Sequence, residues 1–126
     1  MRWNWQLPRH LGFAADQRRA SAAEAGAAEL MADVYRSHAA PLDDQTLFAW
    51  HAMLMNGRRD IADVGRYRTH EDPMQIVSGA LQAPRVHFEA PPSKDVPMEM
   101  SRFIAWFNES APSSPNQVPA ITRAAI

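Results

Sequence analysis

Cysteine is missing from this sequence, which excludes disulfides, thiolate metal sites and cysteine nucleophiles together and fits a reducing cytoplasm. No apolar run approaches the roughly 20 residues needed to cross a bilayer, and the first residues carry charges and aromatic rings where a signal peptide needs an apolar block. The expectation is a cytoplasmic protein with no membrane partner. Net charge is nearly absent too. Thirteen basic against fourteen acidic side chains leave −1, so nothing electrostatic favours nucleic acid as a partner. Lysine is represented by Lys94 alone, and the wealth of arginine and alanine reads as coding bias rather than as a dedicated arginine surface.

The motifs that carry common chemistries are lacking as well. There is no G-x-G-x-x-G, no P-loop and no nucleophile elbow. His10, His38, His51, His70 and His87 include no i, i+4 pair, and the compact trio His70, Glu71 and Asp72 sits in a polar stretch where solvation is the simpler reading. No catalytic residue, metal ligand or cofactor is assigned. Arg66 and Arg68 have the chemistry to hold a phosphate or carboxylate, but without a glycine-rich loop they read as arginines that anchor a loop.

What the chain does have is 126 residues of which 46% are hydrophobic, enough to build one core and hence a single domain over 1–126. An arm over 1–15 places Trp3, Trp5, Leu7, Leu11 and Phe13 among the breakers Pro8 and Gly12; its rings cover the core of the same domain or face a partner. The region 16–72 reads as two helices and a loop. The first, over 16–38, is alanine-rich with Leu30, Met31, Val34 and Tyr35 at helical spacing, and Gly26 weakens it by up to about 1 kcal/mol against alanine. In the second, over 43–55, Asp43 or Asp44 is the N-cap, and Leu47, Trp50, His51 and Leu54 share a mostly buried face before Asn56-Gly57 stops it. His51 on that stripe reads as a hydrogen-bonded structural histidine.

The segment 73–92 reads as a hairpin. Met74-Gln75-Ile76-Val77 and Arg85-Val86-His87-Phe88-Glu89 are β-prone, Ser78, Gly79 and Pro84 separate them, and Pro91-Pro92 ends the pairing. The region 93–126 reads as a helix over 97–108, capped by Asp95, with Met100, Phe103, Ile104 and Phe107 on one face. An exposed linker or a long turn over 111–119 and a short helical pattern complete it. The fold class is therefore mainly α, a helical domain with one antiparallel β-hairpin. Phe103 and Trp106 are the candidates to support the hairpin from beneath.

Gly65-Arg66-Tyr67-Arg68, the hairpin from Pro73 to Pro92, the opening Trp3-Asn4-Trp5-Gln6 and the helix around His51 together resemble the Fic family of protein adenylyltransferases, whose members move AMP from ATP to a target hydroxyl. That resemblance implies that the hairpin is the family's flap, which holds a segment of the target protein as an added strand. The target-binding residues it implies are Met74, Gln75, Ile76, Val77, Ser78, Gly79, Arg85, Val86, His87 and Phe88. The family's catalytic loop, His-Pro-Phe-x-x-Gly-Asn-Gly-Arg, does not occur in these residues. Ser21 to Gly26 has the residue types of the family's inhibitory helix with the wrong spacing, and is not assigned to it. The expectation is thus a truncated Fic-like protein that binds a protein partner, or a second copy of itself, through the hairpin edge and does not itself transfer AMP. The alternatives are a fragment of an active adenylyltransferase and an inhibitor protein borne on a phage or mobile element.

Overall fold

The computed structural model describes residues 20–125; the aromatic arm and the first residues of the helix expected over 16–38 lie outside that range. Helix α1 spans Ala22–Ser37. It begins at a capping box: the Ser21 hydroxyl accepts from the Glu24 amide at 3.2 Å while the Glu24 carboxylate accepts from the Ser21 amide at 2.7 Å, which satisfies two otherwise orphaned donors. Helix α2 spans Asp44–Leu54 with Asp43 as N-cap, its carboxylate accepting from the Thr46 amide at 2.8 Å. Gly57, at φ 83°, turns the chain away after it.

The two helices meet through a glycine. Gly26 is the buried residue of α1, and a Cβ there would lie 2.0 Å from the Met53 carbonyl oxygen. The absent side chain is therefore what lets the helices touch, the close approach that the many small side chains of this helix suggest. Two side-chain hydrogen bonds flank the contact, Trp50 Nε1 to Asp33 Oδ2 at 2.8 Å and Asn56 Nδ2 to the Ala22 carbonyl at 2.9 Å. The α2 face is only half-buried, against the mostly buried face expected; Leu42 is the one large apolar side chain among the described residues that is buried.

After α2, strands β1 (Gln75–Ser78) and β2 (Arg85–Glu89) form a two-stranded antiparallel sheet. A 3₁₀ turn, Ser93–Asp95, leads into helix α3, Val96–Glu109. Asp95 occupies the N-cap position of α3, but its side chain makes no capping hydrogen bond. Helix α4 is Ala120–Ala125. The fold is mainly α with one β-hairpin, and none of the described helices is long and apolar enough to cross a membrane.

The stretch expected to be an exposed linker or a long turn is a turn, and it is pinned at its ends. Ser110 is buried and its carbonyl accepts from the Val118 amide at 3.1 Å. Arg123 lies 3.7 Å over the Phe107 ring and donates to the Phe107 carbonyl at 2.6 Å and to the Ser110 hydroxyl at 3.1 Å. A guanidinium that stacks on a ring while filling two acceptors fastens α4 to the end of α3, and three prolines in the intervening loop limit its alternatives.

Candidate functional site

The hairpin is held at its base and nowhere else among the described residues. The loop between α2 and β1 is riveted back onto α2. The Gly65 amide donates to His51 Nδ1 at 3.2 Å, Phe48 meets Tyr67 edge-on at 4.8 Å, and the Tyr67 hydroxyl donates to Asp44. His51 is thus a half-buried, hydrogen-bonded structural residue, and its acceptor nitrogen fixes the turn at Gly65, where φ is 69°. Arg66 pairs with Asp63 at 2.8 Å and donates to the Ala62 carbonyl, while Arg68 donates to the Pro91 carbonyl across the hairpin base. Both arginines are loop anchors. The Ala90 amide donates to the Met74 carbonyl at 2.8 Å and closes the base. His70, Glu71 and Asp72 do not converge into a set suited to a cation, and no metal-holding group is found among the described residues.

Burial and the Asp44 carboxylate beside it push the Tyr67 hydroxyl up to about 12. A raised folded value means a contribution to stability that is complete below the ordinary tyrosine range near 10 and is lost as pH rises through about 12. Of the two tyrosines, Tyr67 is therefore expected to ionise late in a tyrosinate absorbance titration, and Tyr67→Phe to abolish that late step. A late step that persists in the variant would place the perturbed group elsewhere.

Beyond the base, every residue of both strands is exposed. Gln75 pairs with Glu89, Ile76 with Phe88, Val77 with Val86 and Ser78 with Arg85, with a bulge between Ile76 and Val77. The bulge has a consequence for the faces. Side chains alternate along a strand, and β1 has no extra residue, so Ile76 and Val77 face opposite sides; the extra residue His87 in β2 keeps Phe88 opposite Ile76 and Val86 opposite Val77, one apolar pair to each side. Polar cross-links accompany them, Gln75 Nε2 donating to Glu89 Oε2 at 2.6 Å and Ser78 Oγ lying 2.6 Å from His87 Nε2. Met74, Gln75, Ile76, Phe88 and Ala90 line a hollow of about 290 Å³. Gly79, at φ 96°, starts the connection, whose tip residue Leu81 is 99% exposed.

All ten residues singled out from sequence lie on this ribbon. The support expected from Phe103 and Trp106 does not reach it: Phe103 stacks within α3 on Trp106 and Phe107 at 6.2 and 5.7 Å, and Phe88 stays 56% exposed. What sequence reasoning missed is the bulge: the period of two in β2, Val86 and Phe88 against Arg85, His87 and Glu89, points to one apolar face, and the extra residue sends Val86 and Phe88 to opposite sides instead.

A small helical scaffold thus carries an exposed two-stranded ribbon whose outer edges are unpaired among the described residues. Residues 41–126 match the family model described as Fic/DOC family, and with most of its length matched the chain belongs to that family. No curated protein matches it.

Proposed function

We propose that these residues form the target-holding part of a Fic/DOC domain, with the hairpin binding an extended segment of a protein partner by strand addition. The observation that carries this reading is the ribbon's exposure on both faces and along both edges. Unpaired strand edges carry rows of backbone donors and acceptors that a third strand satisfies, while alternate side chains supply selectivity. A lone two-stranded ribbon is marginal in water, and an added strand relieves that. Met74, Ile76, Val77, Val86 and Phe88 offer the apolar contacts of such a strand; Gln75, Ser78, Gly79, Arg85 and His87 supply its polar contacts and the turn. The role assigned to these 126 residues is binding, since the loop pattern that performs AMP transfer in the family is not among them.

Affinity capture from a host lysate with the wild-type chain and with Ile76→Pro tests the proposal. Proline removes a backbone donor and distorts the strand, and because none of the described helices packs on the strands the helical circular dichroism is expected to stay near wild type. Proteins retained by the wild type are expected to be lost from the variant. Unchanged capture with a demonstrably broken strand assigns binding to another surface and ends this reading.

A further inference from the structure

The two edges of the ribbon are not equivalent. The Ala90 amide donates to the Met74 carbonyl, so Met74 turns its backbone groups toward β2, and along an unbroken strand those groups alternate in direction. Ile76 and Ser78 therefore also face β2, while Gln75 and Val77 hold their N–H and carbonyl groups outward. β1 has no extra residue, so its outward residues stand two apart, the spacing of any regular strand laid beside it. On β2 the residues opposite Gln75 and Val77 are Glu89 and Val86. They point outward on that edge, but His87 sets them three apart. A regular strand that meets one of them misses the other, which is how a bulge blunts an edge.

We infer that the added strand joins the edge of β1 and not that of β2, and that it carries an apolar side chain opposite Ile76, an inference that rests on the strand addition proposed above. Laid antiparallel, such a strand exchanges two hydrogen bonds with Gln75 and two with Val77. The residue between these two contacts lies opposite Ile76, and opposite residues share a face. Its side chain therefore emerges on the side of Ile76 and Phe88, beside the hollow of about 290 Å³ that they line with Met74, Gln75 and Ala90. The new ladder is short, because Pro73 has no N–H to offer and the chain turns away at Gly79, where φ is 96°. A strand held by so few residues buries well under the roughly 1,200 Å² at which stable complexes begin. That suits a flexible segment of a larger protein, held transiently, rather than a second copy of this chain docked by the same edge.

One proline on each edge tests it. Val77→Pro and Glu89→Pro each remove an outward N–H and leave the donors between β1 and β2 in place, the position at which a sheet tolerates proline. An NMR contact between the Hα protons of residues 75 and 89 reports an intact hairpin; Gln75→Pro and Val86→Pro take over on their respective edges where it is lost. The probe is a library of random short peptides displayed on phage and selected on the full wild-type chain, the recovered peptides then being labelled and titrated by fluorescence anisotropy. They are expected to share an apolar residue with no proline beside it. They are expected to bind Val77→Pro about tenfold or more weakly, through a lost hydrogen bond and an obstructing ring, and Glu89→Pro within about twofold of wild type. Weakening in Glu89→Pro alone assigns the strand to β2 and overturns the inference, with strand addition itself standing. Weakening in both variants, or in neither, overturns it as well, and recovered peptides without a common apolar residue overturn its side-chain half. Peptides that Ile76→Pro still binds, or a selection that recovers none, overturn strand addition and this inference together.

Discussion

Replacing Gly26 by alanine is expected to lower the unfolding free energy by about 1–3 kcal/mol, the range for overpacking a close contact. Helix propensity alone predicts a gain of about 0.5–1 kcal/mol from the same change, so the sign of the result separates the two effects. The clash wins because its partners are stiff. The new Cβ would lie 2.0 Å from the Met53 carbonyl oxygen, 3.2 Å from its carbon and 2.7 Å from Asn56 Cβ, and a helix backbone has no rotamer into which to retreat. Relief requires α1 and α2 to separate, which stretches the Trp50–Asp33 and Asn56–Ala22 hydrogen bonds. Urea unfolding followed by circular dichroism gives the magnitude, and altered Trp50 fluorescence is expected to accompany it. A variant as stable as wild type or more so would mean that the interface slides freely, contrary to the packing described.

The second large effect is expected at Asn108. Its amide spans both polar groups of one backbone unit, Oδ1 accepting from the Leu42 amide and Nδ2 donating to the Leu42 carbonyl, each at 2.8 Å. Leu42 is only 7% exposed, so water reaches these groups poorly once the side chain is gone. Asn108→Ala is expected to cost about 2–3 kcal/mol, the range for leaving buried donors and acceptors unpaired. Asn108→Asp keeps the acceptor and sets a carboxylate oxygen against the Leu42 carbonyl, so it is expected to lose more than half of that amount. Equal unfolding midpoints for wild type and Asn108→Ala would show that the approach of α3 to the start of α2 rests on other contacts.

Sequence pattern made the element types readable and left the ties between them hidden. The Asp43 cap, the Gly57 stop and the hairpin ends at Gly79 and Pro91 are local chemistry, and each lies within a residue or so of its expected place. The start of α1 was readable and overlooked: Ser21 and Glu24 have the spacing of a capping box, while the search for a boundary settled on Asp16. Gly26, Asn108 and Arg123 were of another kind. Each acts on a partner 13 to 66 residues away or on a neighbouring backbone, and no periodicity announces a contact between elements. The hairpin residues were legible as a group, because β-prone runs bounded by glycine and proline identify themselves. That both strands lie exposed was not, since the same alternation serves a strand resting on a helix.

The way the hairpin is mounted separates what it can recognise from what keeps the domain folded. Arg68, the Met74–Ala90 closure and the Tyr67 contact secure the base, while the strands and the Leu81 tip carry none of the packing that joins the helices. Changes of side chain along the ribbon, or of length at its tip, therefore draw little on the stability of the rest, and lengthening a surface loop adds only slowly to the entropy of closing it. Such a mounting lets specificity diverge quickly under selection while the helical frame stays the same, so that related chains with one scaffold can come to hold quite different partners.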